Sequence, residues 1–432
     1  MNASTARRPS ARRGASRAAK LAALGVSLLI SLYLVELALR VFFVVPWQVT
    51  SRQPLGLGVA ESELRLAQAE YDVRLRYNSS GFRDEEFPET KEPGELRVLV
   101  LGDSFAEGVG VEQDDRFADL LERDLARDRE TPVTVIAAGQ MATGPASYLR
   151  NLYEFGVALR PDVVVITIYV GNDFGAGGTS PARDAKVVET LPPDSLAARG
   201  SWRSVVQLEY VRALLRQLVS GETLLHRRPT RSSPWEIGHG HPLSREFFVE
   251  LAKRSGIGEA ELERAVAQMD PELVADFYAG RLNPSFLLSA VVQKLAAKSG
   301  AARGGKSKSA IAQLVRQVVD QMVQAQELLA RRGIELLVVV VPDVREVQRR
   351  DHDRFLARLA MRPSPEMRRS AAVRQRFVRA LREKGIAFVD LTRALRAAGA
   401  PTFHVMDGHF NELGHRIAAD EIGRRLAAAG AN

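Results

Sequence analysis

Five short runs of apolar residues, rich in branched side chains, set the strongest limit on how this chain of 432 residues can fold. In each run the apolar residues occupy successive positions and do not alternate with polar ones. Strands buried on both faces have this pattern, as in a parallel sheet covered by helices on both sides. Helix-like stretches separate the runs. The pattern predicts a doubly wound α/β fold with a parallel five-stranded sheet, and the predicted strands cover residues 98–101, 133–137, 163–170, 334–341 and 386–389.

About 160 residues separate the third and fourth predicted strands, far more than one crossover helix needs. We therefore predict a largely helical insertion over residues 176–333, which could be a lid, an acceptor-binding platform or a docking surface. Its His239 and His241 are interpreted as exposed loop residues. Along the chain we expect an irregular stretch at 175–244, helices at 245–298, a Gly/Lys/Ser linker at 299–309 and a long amphipathic helix from Ile311.

The amino-terminal residues carry the pattern of a single-pass membrane anchor. Residues 1–20 hold six basic and no acidic side chains. The mostly apolar stretch that follows, 21–45, is long enough as a helix to span a hydrocarbon core of ~30 Å. Glu36 and Arg40 interrupt it one helical turn apart and can pair. The basic tail predicts a cytoplasmic amino terminus and an extracytoplasmic remainder, joined by a lead-in segment at 46–95.

A cleaved signal peptide is the alternative for the same stretch, because it too combines a basic start with an apolar middle. No small-x-small cleavage site directly follows residue 45. The sequence therefore favours an anchor over a cleaved leader.

Charge and composition exclude several classes of function. The net charge is +8, and the six cations of the basic tail leave only +2 for the rest of the chain, so nucleic acid is not a predicted partner. The chain has no cysteine, which excludes a thiol nucleophile, thiolate metal sites and disulfides. No cofactor is predicted.

Three predicted strands end in residues suited to acyl-transfer chemistry. Ser104 follows the first strand in Gly-Asp-Ser, Gly139 follows the second, and Asn172 follows the third in Gly-Asn-Asp. The carboxyl ends of parallel strands form the ligand crevice of such a fold. A serine can act as a nucleophile, while a glycine N–H and an asparagine amide can donate to an oxyanion. Each pattern alone also fits an N-cap, a turn glycine or an Asx turn.

A fourth motif places Asp407 and His409 on one loop just before the last helix. A histidine base needs a carboxylate to hold the right tautomer of its ring, and the two residues are close enough for that. The order Ser, Gly, Asn, then Asp and His at successive strand ends is hard to obtain by accident.

This order of motifs resembles the SGNH (GDSL-like) hydrolases, a family of esterases and acetyltransferases with membrane-anchored members. The resemblance covers residues 96–175 and 334–432 and implies a flavodoxin-like sandwich. It implies that Ser104 is the nucleophile, His409 the base and Asp407 its orienting acid. The oxyanion donors implied by the resemblance are Ser104, Gly139 and Asn172.

Two positions depart from the usual family pattern. One residue separates Asp407 from His409 where two are usual, a spacing that looks like the alginate-type O-acetyltransferase relatives. Ala138 stands where an asparagine usually precedes the glycine of the second motif. The segment 78–84 resembles a stretch that precedes the first motif in membrane-anchored relatives, and we expect it to pack against the domain.

The resemblance implies a serine esterase acting on ester groups, most simply O-acetyl groups, of an extracytoplasmic carbohydrate or lipid. An O-acyltransferase to a cell-surface polysaccharide remains open, as does a catalytically inert anchored module for glycan binding or assembly. A metal-dependent hydrolase is the least favoured alternative, with nitrogen and oxygen ligands from His404, Asp407, His409 and His415.

Overall fold

The computed structural model describes ten continuous stretches and several short pieces of the chain. The stretches are residues 17–44, 63–67, 70–88, 90–127, 129–141, 143–174, 245–254, 257–279, 308–363 and 365–428. The short pieces are residues 211, 214–215, 218–219, 226–227, 235–237, 281, 287 and 290–291. The predicted irregular stretch at 175–244 and the linker at 299–309 lie largely outside these residues, and His239 and His241 lie wholly outside them.

The described elements are numbered in chain order. The strands are β1 (Phe43–Val44), β2 (Glu63–Ala67), β3 (Asp72–Arg76), β4 (Leu96–Gly102), β5 (Val133–Gly139), β6 (Val163–Tyr169), β7 (His226–Arg227), β8 (Trp235–Ile237), β9 (Glu335–Val341) and β10 (Phe388–Asp390). The first helices are α1 (Arg17–Phe42), α2 (Ser104–Glu107), α3 (Phe117–Arg127), α4 (Pro145–Asn151), α5 (Arg245–Arg254), α6 (Glu259–Val266) and α7 (Pro271–Tyr278). The others are α8 (Lys308–Ala330), α9 (Val344–Val347), α10 (Arg349–Arg358), α11 (Pro365–Glu383), α12 (Thr392–Ala397) and α13 (Glu412–Ala428). Short 3₁₀ or π turns cover Gln113–Asp115, Leu152–Gly156 and Val157–Leu159.

The chain forms two compact units, one of residues 1–53 with 199–228 and the other of residues 54–198 with 229–432. The smaller unit contains α1 and the antiparallel pair β1 and β7. Within it Glu36 is fully buried, and its carboxylate accepts a hydrogen bond of 2.9 Å from the backbone N–H of Val211.

The sequence predicted a membrane span at residues 21–45. Among the helices that the structure describes, none combines the length and the apolar character needed to cross a membrane. The predicted span is therefore not supported.

A parallel sheet of five strands forms the centre of the larger unit, in the order β10-β9-β6-β4-β5. The predicted parallel five-stranded sheet is confirmed, with strand ends shifted by a few residues. Every residue of β4 is buried, and β9 is buried in all but its first residue. That double burial is why these strands are apolar at successive positions.

Alternate side chains of β4 enter two different cores. Leu99 and Leu101 pack on the face that α4, α8 and α11 cover. Val98 and Val100 pack on the opposite face, beneath α2, α3 and α13. The predicted amphipathic helix supplies part of the first core: it begins at Lys308, three residues earlier than expected.

Two further parts of the larger unit pack beside the sheet. The lead-in segment contributes the hairpin of β2 and β3, which β8 extends to three strands. Helices α5, α6 and α7 of the predicted insertion enclose a third core with Phe355 and Leu359 from α10 and the next turn. Val405 and Met406 pack against this core from the loop that holds the predicted base.

The end of β4 has no room for a side chain, so we expect Gly102→Ala to destabilise the fold. A Cβ at Gly102 would lie 1.8 Å from the hydroxyl oxygen of Thr167 and 2.7 Å from the Cβ of Ala106. Overpacking a buried site costs about 2 kcal/mol or more of unfolding free energy. Gly423→Ala in α13 is the matched control, because its Cβ would meet only Leu121 at 3.5 Å.

Urea unfolding followed by circular dichroism measures both variants. The control should match the wild type or exceed it by about 0.5–1 kcal/mol, since alanine is the better helix former. Equal stability of Gly102→Ala and the wild type would contradict the packing described at the end of β4.

Candidate active site

Ser104 stands where the order of strands in the sheet reverses direction. Its strand β4 pairs with β5 on one side and with β6 on the other, the arrangement in which α/β proteins form ligand crevices. Asp103 caps the short helix α2, because its side chain accepts the N–H of Phe105 at 3.0 Å. Ser104 is therefore held at the first position of α2, just beyond the carboxyl end of β4.

His409 and Ser104, which are 305 residues apart in the chain, meet at hydrogen-bond distance. The Nε2 atom of His409 lies 2.7 Å from the Oγ atom of Ser104. The His409 ring also rests beside the ring of Phe105, with 5.2 Å between centroids. A serine and a histidine in this relation can act as a nucleophile and its base.

The loop that carries His409 is closed by backbone contacts at its base. Phe403 and Phe410 form an isolated β-bridge, and the N–H of His404 donates to the carbonyl of His409 at 2.8 Å. Gly408 has a φ of 82°, a conformation that glycine adopts readily. The turn that this glycine permits brings Asp407 and His409 together on one side of the loop.

Asp407 faces the other nitrogen of the His409 ring. Its Oδ1 atom lies 3.1 Å from Nδ1 of His409, although Nδ1 has no partner with aligned hydrogen-bond geometry among the described residues. The contact strengthens when the ring is protonated, because the ring then carries a positive charge. The hydroxyl of Tyr71 donates a short hydrogen bond to the second oxygen of Asp407.

The charges of this pair move both pKa values. Burial opposes the ionised forms, but the nearby His409 ring and the hydrogen bonds to Asp407 outweigh it and lower the pKa of Asp407. Burial would likewise lower the pKa of His409, but the Asp407 carboxylate outweighs it and the pKa is raised. Both shifts favour an ionised Asp407 beside a basic imidazole.

Asn172 comes to the same end of the sheet as Ser104. Its amide Nδ2 donates to Oδ2 of Asp103 at 3.1 Å, and the residue is exposed. Burial raises the pKa of Asp103, which this amide and the N–H of Phe105 counter. Asp173 instead turns inward and accepts from the N–H of Tyr169 at 2.9 Å.

Gly139 lies opposite Gly102 in the sheet register, where β5 touches α2. A Cβ there would lie 2.2 Å from the backbone nitrogen of Glu107. Gln140 donates its N–H to Gly102, so by strand alternation the N–H of Gly139 faces away from β4. This geometry explains the glycine by packing, and its oxyanion role stays a prediction.

Comparison with known proteins finds a family match in the carboxyl-terminal part of the chain. Residues 305–432 match the family model described as the SGNH hydrolase-like domain of the acetyltransferase AlgX. The resemblance to SGNH hydrolases is confirmed. The predicted enzyme class, an esterase or acetyltransferase, is confirmed with it. No curated protein matches the sequence.

Several solved structures are distantly similar to the chain. A putative lipolytic protein of the G-D-S-L family from Desulfitobacterium hafniense is 10% identical, with a TM-score of 0.34, over 77% of this chain and 99% of its own. The lipase/acylhydrolase from Enterococcus faecalis is 12% identical (TM-score 0.33; 77% and 96% covered). A single-substitution variant of an acetyl xylan esterase from Geobacillus stearothermophilus is 10% identical, with a TM-score of 0.35, over 77% of this chain and 94% of its own. Likeness at this level carries no argument about activity.

The segment 78–84 packs against the SGNH-like domain, as expected, and supports the far end of α2. Arg83 is buried and donates to the carbonyls of Glu107, Gly108 and Val111 at 2.8, 2.5 and 2.7 Å. These carbonyls end the helix or follow it, where a helix leaves acceptors unmet. Burial lowers the pKa of Arg83 to about 10.

Asp84, from the same segment, binds the outer edge of the five-stranded sheet. Its carboxylate accepts the N–H of Ala137 in the edge strand β5 at 2.9 Å and lies 3.4 Å from the guanidinium of Arg116. Burial raises its pKa to about 7 in spite of that cation. The carboxylate pairs a strand edge that would otherwise lack a partner there.

Glu107 is a further supporting group that the sequence did not single out. It is buried and accepts from the hydroxyl of Tyr77 at 2.7 Å and from the N–H of Met141 at 2.6 Å. It therefore joins α2 both to the lead-in segment and to the loop after β5. The sequence did not single out Tyr71 or Tyr77 either. Both precede the first motif, and only tertiary folding brings them to Asp407 and Glu107.

The metal-site alternative is not supported by the contacts of its histidines. Nε2 of His404 meets the carbonyl of Gly110 at 3.1 Å, and Nδ1 of His415 accepts the N–H of Phe117 at 3.2 Å. His415 is fully buried, and burial lowers its pKa well below the ordinary value. Within the described part of the chain, no three histidine or acidic side chains are grouped to hold a metal ion.

We predict that the pKa of His409 lies above the ordinary histidine value of ~6.5, and that Asp407→Asn lowers it. The carboxylate stabilises the imidazolium, so the loss of its charge removes the main cause of the upward shift. NMR titration of ¹⁵N-labelled histidines measures the pKa, and His409→Gln assigns the signal.

The same shift fixes the sign of the pH dependence of activity. A base must be neutral, so activity should fall as pH is lowered through the pKa of His409. A titration midpoint at or below ~6.5 in the wild type, or one unchanged by Asp407→Asn, would contradict the electrostatic account.

Proposed function

We propose that this chain is a serine esterase-type enzyme that removes acyl groups, most simply O-acetyl groups, from an extracytoplasmic carbohydrate or lipid. The observation that carries the proposal is the distance of 2.7 Å between Nε2 of His409 and Oγ of Ser104. A second support is Asp407 at the opposite nitrogen of the ring. The three side chains stand in the order of a Ser-His-Asp triad.

In the proposed reaction, Ser104 attacks the ester carbonyl while His409 accepts its proton. The C–O bond to the alcohol then breaks, His409 returns the proton to the leaving oxygen, and the acyl group stays on Ser104. Asp407 stabilises the imidazolium in both steps. The transient oxyanion would accept from the N–H of Ser104 and from the amide of Asn172, whereas the N–H of Gly139 faces away from β4.

The contacts of Asn172 give that role a chemical basis. Its side-chain amide carries two hydrogens. One donates to Asp103, and the other can donate to an oxyanion. Donors of this kind are each worth roughly 10²–10³ in rate. Asp103 orients the amide by accepting from it.

The acyl acceptor separates the main proposal from a second one. Water gives an esterase, whereas a sugar hydroxyl gives an O-acyltransferase. The match of residues 305–432 to an acetyltransferase family model, together with the short Asp407–His409 spacing, favours the second enough to be tested.

The test is hydrolysis of p-nitrophenyl acetate by the full chain, with Ser104→Ala and His409→Ala. We expect the wild type to turn over and both variants to lose about 10⁴-fold or more, because each removes a group that makes or breaks bonds. Ser80→Ala is the control, a serine in the segment 78–84 whose own side chain is outside the proposed triad. Full activity of Ser104→Ala would refute the proposal.

The same assay, run with an added oligosaccharide, decides the acceptor. A transferase should release p-nitrophenol faster when the sugar is present and form an acetylated sugar that mass spectrometry detects. An esterase should form acetate at a rate that the sugar does not change. A folded wild type that is inert in both arms would favour the non-enzymatic module.

We also propose that the domain works outside the cytoplasm. The support is the basic tail of residues 1–20 followed by the apolar stretch of residues 21–45. Alkaline phosphatase fused after the last residue should be active, since that reporter needs export. The same fusion without residues 1–45 is the control and should be inactive. Two equally active fusions, or two inactive ones, would contradict the proposed location.

A further inference from the structure

A carboxylate from the lead-in hairpin binds the backbone of the loop that holds Asp407. Glu70 lies between β2 and β3, and its two oxygens accept three consecutive N–H groups. The distances are 2.6 Å from Val405, 2.8 Å from Met406 and 3.0 Å from Asp407. Glu70 therefore fixes the path of the loop directly before the base.

Three successive N–H groups that point the same way form a concave site for an anion. The loop adopts that shape because its ends are tied by the bridge of Phe403 and Phe410. A further bond, from the N–H of Gly408 to the carbonyl of His404 at 2.8 Å, closes the turn. Bonds to an ionised acceptor are stronger than neutral ones, so Glu70 holds the loop more firmly than a neutral side chain would.

The next residue along the chain reaches the acid itself. The hydroxyl of Tyr71 donates to Oδ2 of Asp407, while Oδ1 of Asp407 faces His409. The ring of Tyr71 also packs on the ring of His404, with centroids 4.9 Å apart. Each oxygen of Asp407 thus has its own partner, and this division sets the rotation of the carboxylate.

We propose that Glu70 and Tyr71 are positioning residues for the His409–Asp407 pair. The proposal rests on the proposed function, because it assigns the hairpin a part in activating Ser104. Oδ1 of Asp407 lies 3.1 Å from Nδ1 of His409, and this short contact depends on a carboxylate whose backbone and second oxygen are bound by the hairpin. Glu70 holds the backbone and Tyr71 the carboxylate, and together they keep the acid within reach of the ring.

Other ionisable groups also face the His409–Asp407 pair, and their effect on it is the same in every hairpin variant. Asp103 and Glu107 act on His409 from the two ends of α2, and His404 acts on Asp407 from the loop itself. A test must therefore change only the hairpin. Tyr71→Phe removes one hydroxyl and keeps the ring, while Glu70→Gln removes the charge and keeps the shape.

The first readout is the rate at which a fluorophosphonate labels Ser104 in the full chain, which reports nucleophile activation without a known substrate. We expect Glu70→Gln and Tyr71→Phe each to slow labelling about tenfold, the effect of losing one charge-assisted hydrogen bond. Glu63→Gln is the matched control. It makes the same change on the same hairpin, where Glu63 pairs with Arg76 at 3.1 Å, and it should stay within about twofold of the wild type.

The second readout is the ¹H NMR signal of the His409 Nδ1 proton, which senses the Asp407 contact whether or not the protein is active. Tyr71→Phe should shift or broaden this signal with little change in thermal stability, and Glu63→Gln should leave it in place. If Glu70→Gln does not fold, Tyr71→Phe still tests whether the hairpin positions the His409–Asp407 pair.

The outcomes separate this proposal from the function on which it rests. Normal labelling of both hairpin variants would overturn the positioning role and leave the serine enzyme standing. An unlabelled Ser104 in the wild type would overturn the proposed function. In that case, an unchanged His409 signal in Tyr71→Phe would overturn the positioning role as well. A shifted His409 signal would support the contact between Tyr71, Asp407 and His409.

Discussion

The close contact between two strand ends and helix α2 is the constraint on which the site depends. β4 and β5 finish at Gly102 and Gly139, and a side chain at either position would enter Ala106 or the backbone of α2. With no side chains there, α2 can begin immediately above the sheet. Ser104 is therefore presented at the carboxyl edge and does not lie farther along a loop.

Buried charges then hold this short helix in place. A helix of four residues has little stability of its own, since most of its backbone groups lack internal partners. Asp103 supplies an acceptor at its start and Arg83 supplies donors at its end. Burying these groups costs free energy that hydrogen bonding offsets, and both terminal nitrogens of Arg83 donate to carbonyls at the end of the helix. The arrangement places Ser104 in a polar and largely buried setting.

The loop that carries His409 is supported from outside the sheet. It receives Glu70 and Tyr71 from the lead-in hairpin and packs Val405 and Met406 against the core formed by α5, α6 and α7. The helical part of the predicted insertion therefore contacts the site through hydrophobic packing. The lead-in hairpin and the helices α5, α6 and α7 lie outside the motifs that carry the family resemblance. Both nevertheless contact the loop that carries Asp407 and His409.

The sequence alone determined the parallel sheet and singled out Ser104, Asp407 and His409 as the candidate site residues. Runs such as 98–101 and 163–170 are apolar at successive positions because both faces of their strands are covered, and that burial is visible in one sequence. Motif order likewise placed Ser104 and His409 at the same edge. It could not show Glu70 beside Asp407, because the two are joined only by folding. Tertiary structure alone decided which carboxylates and tyrosines support the site, since partners hundreds of residues apart leave no local pattern.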